Sequence, residues 1–238
     1  NAFLNGAPQR PFDPIRFFRW RCFTDYGSGL AGDLFVHLIS GIHFVTGTNT
    51  IPQRAQSVGG LFHYKDGRDF PDLIETSYEY PKFRVSLRCN LNNNQGEFFG
   101  FYGTQGTLII KESTVTFIPQ DTRPQPDEYT VRWWPDKLRD DYMAKWLADH
   151  PSPLPLRSKL DEQTEVYAVP EGYDDVVDHE ANFFESVRSR KRVVENEEFG
   201  NNAALGCHLA NYAYFKRTAA VWDLSLIHIS EPTRQAEI

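Results

Sequence analysis

Sulfur is scarce in this chain. Its 238 residues hold one methionine, Met143, and three cysteines, Cys22, Cys89 and Cys207, far apart and without a CxxC pair. An odd, scattered set excludes a disulfide framework and a zinc knuckle and suits buried reduced thiols. No apolar run approaches the ~20 residues that cross a bilayer as a helix. Positive charge is also short: 25 basic residues stand against 32 acidic ones, for a net charge of -7. That balance argues against a nucleic-acid surface, which relies on a basic face. The one basic cluster, Arg188-Ser189-Arg190-Lys191-Arg192, stands where a helix is expected to end, and cations there complement the carbonyl end of the dipole. No G-x-G-x-x-G joins a strand to a helix; the glycines of residues 100–106 lie between two strands and read as a hairpin rather than a phosphate cradle. Metal ligands do not converge either. His37 and His43 are six residues apart, ~240° around a helix, and His63 belongs to an expected strand.

What is present is a body 40% hydrophobic and 14% aromatic, enough to bury a sizeable core. A single globular domain over residues 1–223 is the expectation. Because Met143 is the only methionine, Asn1 is not a translation start, and no signal-peptide order surrounds it, so the chain is expected to be a fragment. A cytoplasmic site is the default compartment, with an exported form left open. Beyond Val221-Trp222-Asp223 the string Leu224-Ser225-Leu226-Ile227-His228-Ile229-Ser230-Glu231-Pro232-Thr233-Arg234 resembles an in-frame translation of a transposon adapter used in sequencing libraries. Residues 224–238 are therefore set aside from the reasoning.

The pattern along the chain predicts an α+β fold. Pro8, Pro11 and Pro14 make residues 1–19 an irregular lead-in, with Phe12, Phe17 and Phe18 as anchors to pack it down. An apolar helix is expected over 30–45, opened by Gly27-Ser28-Gly29 and closed at Gly47. Short β-rich runs follow at 55–64, 73–80, 83–90, 97–102, 107–110 and 115–118, economically read as an open, mostly antiparallel or mixed sheet. Asp66-Gly67 is a tight-turn signal between the first two, and Gly103 to Gly106 marks another. Phe83 to Cys89 alternates apolar and polar residues, giving one buried and one exposed face. Proline and charge dominate 119–170, where only a helix over 136–148 is legible. Helices over 173–188 and 201–220 complete the set. The second aligns Ala203, Cys207, Ala210 and Tyr214, with Asn201 or Asn202 as a cap.

The chemistry-bearing feature is Gly32-Asp33-Leu34-Phe35-Val36-His37. A spacing of four leaves Asp33 and His37 ~40° apart on one helix face, close enough to serve one small substrate. Oxidising an alcohol by hydride transfer requires a base near neutral pKa at the hydroxyl. Histidine, unperturbed at ~6.5, suits that task, and a carboxylate can orient the ring. Read alone, such a pair is also an ordinary surface contact between successive turns.

The ordered series Phe3 to Pro8, Arg19-Trp20-Arg21, Gly27-Ser28-Gly29, Gly32-Asp33 with His37, a β-rich body, Gly103-Thr104-Gln105-Gly106, and the helical stretches 179–188 and 201–223 resembles the C-terminal domain of the Gfo/Idh/MocA oxidoreductases. The resemblance implies an α+β domain with helices packed on one face of an open sheet, fed by an N-terminal Rossmann domain that is absent from these residues. It implies NAD or NADP as cofactor, bound mainly by that missing domain, and a sugar, cyclitol or related polyol as substrate. It casts His37 as proton acceptor or donor at the substrate hydroxyl, Asp33 as its helper, and Trp20 and Arg21 as residues near the nicotinamide. It also implies a homo-oligomer through the sheet. The Glu-Lys-Pro segment, whose lysine completes the catalytic group in relatives, is not in this chain, and Ser40 stands where many relatives carry an aspartate. Two other readings stay open at this point: a non-catalytic sugar-binding or dimerisation module, and a glycoside hydrolase or lyase that uses the cofactor transiently.

Overall fold

The computed structural model describes residues 4, 6–94, 96–97, 99–120, 126–150 and 164–223. The tail at 224–238, expected to be foreign, lies outside them. The chain forms two compact units, one made of residues 1–94 with 178–238 and the other of residues 95–177.

In the first unit, α1 (Pro14–Phe18) is followed by a 3-10 turn at Trp20–Cys22, a π turn at Ala31–Phe35 and α2 (Val36–Thr46). Strands β1 (Arg54–Gly60), β2 (Leu73–Glu79) and β3 (Arg84–Asn90) form an antiparallel sheet. The C-terminal β8 (Ala220–Val221) adds itself to β1, in the order β3-β2-β1-β8. Register puts Ala55, Tyr78 and Val85 in one row, Ser57, Thr76 and Leu87 in the next, and Gly59, Ile74 and Cys89 in a third. These rows share a face because side chains alternate along a strand. Tyr78, Ile74, Thr76, Leu87 and Cys89 on that face are buried.

Helix α6 (Glu197–Lys216) covers β1 and packs on α2. Its buried stripe of Ala203, Cys207, Ala210 and Ala213 is small, which lets the helix lie close to the sheet. The opposite sheet face is polar: Arg88 pairs with Glu75 at 3.1 Å across β2 and β3, and Arg54 lies 4.0 Å from Glu79 across β1 and β2. One buried, helix-covered face and one polar face is what the alternation predicts.

The second unit carries β4 (Phe99–Tyr102), β5 (Gly106–Lys111), β6 (Thr114–Pro119) and β7 (Glu165–Ala168), antiparallel in that order. Helices α3 (Glu128–Val131) and α4 (Asp136–Asp149) lie in its sequence. Helix α5 (Asp175–Ser189) begins there and ends in the first unit. The α+β class is thus as expected, with the strands divided between two four-stranded sheets, both antiparallel throughout.

Several local expectations need correction. The lead-in contains helix α1, since Asp13 caps it by accepting from the Ile15 and Arg16 amides and Pro14 opens it. Phe12, Phe17 and Phe18 do not anchor it, being 76%, 55% and 74% exposed. The hold comes from Asp25, which accepts from Arg10 at 2.8 Å and Arg16 at 3.4 Å. The Asp66-Gly67 turn exists, with Gly67 at φ 81°, but it sits inside a long connection between β1 and β2 rather than at a tight hairpin. His63 lies in that connection and not on a strand. Helix α6 starts earlier than expected, capped by Asn196 through the Glu198 and Phe199 amides. Asn202 instead donates to the Asn49 carbonyl and side chain. At the other hairpin, Gly103 N–H donates to the Gly106 carbonyl at 2.9 Å, as its glycines predict. All three cysteines are free thiols, with Cys89 and Cys207 buried.

Candidate active site

The glycine turn builds the site. A Cβ on Gly27 would sit 2.8 Å from the Arg21 Cα, so only glycine lets the chain fold back this closely on the Trp20–Cys22 turn. Two residues of the β1–β2 connection brace that turn. The amides of Asp69 and Phe70 donate to the Cys22 carbonyl at 3.1 and 3.3 Å, and the Asp69 carboxylate accepts from the Thr24 amide and hydroxyl at 2.9 and 3.0 Å. From α6, Asn211 Nδ2 donates to the Ser28 carbonyl at 2.7 Å. The glycine turn is therefore held from three sides.

Beyond it the helix opens with a π turn, where the expectation was plain α-helix. Gly32 N–H donates to the Ser28 carbonyl at 3.2 Å, and a Cβ on Gly32 would collide with the Ser28 side chain. With no side chain at 32, Ser28 packs directly on the backbone of the widened turn. π turns of this kind collect at functional sites, and this one carries Asp33.

Asp33 accepts a hydrogen bond from Arg21 Nε at 3.0 Å, with the two side chains 49% and 55% exposed. The same guanidinium lies over the Trp20 ring, 4.3 Å from its centroid. Trp20, Arg21 and Asp33 thus form one stack at the surface of the first unit. His37 is exposed on the first turn of α2, one turn beyond Asp33. The ring is not hydrogen-bonded to the Asp33 carboxylate, whose partner is Arg21. Both groups are outward, as proton exchange with a bound molecule requires. The Arg21–Asp33 pairing was not legible in the sequence, where the two are twelve residues apart; only the glycines that force the close approach hint at it.

The other histidine of α2 plays a structural part. His43 is buried, shares a 3.0 Å hydrogen bond through Nε2 with the Tyr80 hydroxyl, and meets Tyr80 and Phe199 edge to face. Burial pushes its pKa below the ordinary histidine value and raises that of Tyr80. Among the described residues no group of three or more His, Cys, Asp or Glu side chains gathers as a metal site, and no helix is long and apolar enough to cross a membrane.

No family model matches the chain, and no curated protein matches it. Solved structures do. An NAD-binding protein from Listeria innocua aligns with a TM-score of 0.53 at 13% identity, over 91% of this chain and 56% of its own. An oxidoreductase from Agrobacterium radiobacter, in complex with NAD+, L-tartaric acid and magnesium, aligns at 0.53 and 11% identity, over 88% and 53%. A Thermotoga maritima protein aligns at 0.57 and 13% identity, over 90% and 51%. The chain spans about half the length of the solved structures it matches. At these identities the likeness defines the fold: it is one found in oxidoreductases and NAD-binding proteins.

Proposed function

We propose that the chain is the substrate-binding and catalytic half of a nicotinamide-dependent oxidoreductase of the Gfo/Idh/MocA type, acting on a sugar, cyclitol or related polyol. The observation that carries this reading is the outward placement of Asp33 and His37 on successive helical turns, beside Arg21 stacked on Trp20. The fold's occurrence in NAD-binding and oxidoreductase chains adds to it.

In this reading His37 accepts the hydroxyl proton through a ring nitrogen as the alcohol is oxidised. Asp33 gives one oxygen to Arg21 and keeps Oδ2 for a substrate hydroxyl. Arg21 and Trp20 form the wall toward the cofactor. NAD or NADP, when held by the nucleotide-binding half of the fold, supplies the hydride acceptor. An oligomer through the first sheet would use its polar outer face, joined by Arg and Glu pairs rather than by a dry apolar patch.

The test uses an intact gene product carrying both halves. With a panel of polyols it should form NADH or NADPH, and His37→Ala should abolish that formation. Cleavage of a glycoside with no net change in cofactor would replace the dehydrogenase reading with the transient-cofactor one. By calorimetry the chain alone should bind no nicotinamide; micromolar binding would contradict the division of labour.

A further inference from the structure

The second unit carries an aromatic and arginine stack that the proposed reaction does not use. Tyr129 stands on α3 and Trp133 in the turn two residues beyond its end, and the side chain of Arg132 between them reaches both. They are 72% and 75% exposed. The Arg132 guanidinium lies over both rings, 4.4 Å from the Tyr129 centroid and 4.5 Å from that of Trp133. The two rings and the guanidinium between them make one contiguous exposed patch.

We infer that Tyr129, Arg132 and Trp133 form a saccharide-binding platform, taking a pyranose oligosaccharide at a place separate in sequence from the Asp33 and His37 site. The chemistry matches on both counts. Stacking consumes the flat faces of the guanidinium and leaves its N–H groups directed outward in their plane, where hydroxyl oxygens can accept. The indole and phenol offer apolar ring surface, and the axial C–H face of a pyranose is apolar while its rim is all hydroxyl. Among the described residues no carboxylate pairs with Arg132 to compete for those N–H groups. A protein partner fits less well. Two rings bury roughly 150–250 Å² each, well short of the ~800 Å² per partner of a stable interface, but ample for one or two sugar rings.

This inference stands apart from the proposed reaction, so its test needs no turnover. The full chain, labelled with 15N, is titrated separately with cellohexaose and with tetragalacturonate to about 5 mM, following the indole Nε1–H resonances, with Trp133 assigned by Trp133→Phe. A saturable shift at Trp133 with at least one sugar is expected. Trp133→Ala and Arg132→Ala should each weaken it about tenfold or more, about 1.4 kcal/mol, whereas Trp133→Tyr should stay within about threefold. All three side chains are exposed, so their replacement leaves the core untouched, and unchanged amide spectra of the variants check this. No saturable shift with either sugar would overturn the proposal, as would unaltered affinity in Trp133→Ala. A Trp133 shift that depends on protein concentration without sugar would mark the stack as a self-association surface and overturn it too.

Discussion

Replacing Asp72 with alanine should cost the first unit about 4 kcal/mol. Asp72 is fully buried. Its carboxylate accepts from the Phe62 amide at 3.0 Å, the His63 amide at 2.8 Å, the Tyr64 amide at 3.0 Å and Asn92 Nδ2 at 3.3 Å. Truncation leaves three amides without an acceptor, and each such loss costs about 1–3 kcal/mol, the lower end applying because Phe62 and His63 are exposed enough for water to reach. Asparagine keeps one oxygen for the amides but turns an NH2 toward Asn92 and removes the charge, so Asp72→Asn should cost about 2 kcal/mol. Acid offers an independent measure. Burial pushes the Asp72 carboxyl up, but the three amides and Asn92 outweigh it and bring the pKa from 3.8 to about 2. A depressed folded value means stability that is present above pH ~4 and lost as pH falls through about 2, worth about 2 kcal/mol. Urea unfolding followed by circular dichroism, at pH 7 and at steps down to pH 2, reads both numbers. The deficit of Asp72→Asn relative to the parent should shrink toward zero at the acid end. A deficit that does not change with pH, or an alanine variant within 1 kcal/mol of the parent, would refute the reasoning. The consequence reaches the site, because the same connection supplies Asp69 and Phe70 to brace the turn bearing Arg21.

Gly32→Ala should destabilise by about 2–3 kcal/mol, because its Cβ meets Ser28; Ser28→Gly in the same chain should recover at least half of the loss in thermal melts, and a full-stability alanine variant would show that the π turn does not depend on this contact. Arg21→Gln should change unfolding free energy by less than about 1 kcal/mol, since the pair with Asp33 is half exposed, yet it should move the Trp20 indole resonance by removing the stacked guanidinium. An unmoved indole would contradict the stack. His43 titrates low because it is buried, so protonation favours the unfolded chain and stability should fall as pH drops below ~6.5. His43→Gln, which can still reach Tyr80, should flatten that slope.

Much of the fold is written in short-range pattern. The β-rich runs placed β1 to β6 within a few residues, clearest at Arg84–Asn90, where Leu87 and Cys89 turn inward and Arg84 and Arg88 outward, while β8 forms where the last helix was expected to finish. The helix carrying Asp33 and His37 was legible from its apolar run and from Gly47, which ends it in a left-handed conformation at φ 63°. What pattern could not give was set by contacts distant in sequence. Ser28 packs where a side chain on Gly32 would stand in the π turn, and Arg21 reaches Asp33 across the glycine turn between them. Strand β7 is four exposed residues with no buried face to signal it, and it exists because β6 offers it an edge. Phe17 and Phe18 misled because hydrophobicity alone does not say whether a ring is covered.

His37 is proposed as the proton-transfer group of a hydride-transfer reaction. Its most direct test is kcat of a gene product carrying both halves and of its His37→Ala variant, with nicotinamide reduction as the readout and cofactor affinity measured alongside. A loss of roughly 100-fold or more in kcat is expected, with cofactor binding unchanged. Turnover that keeps its rate without the imidazole would contradict it.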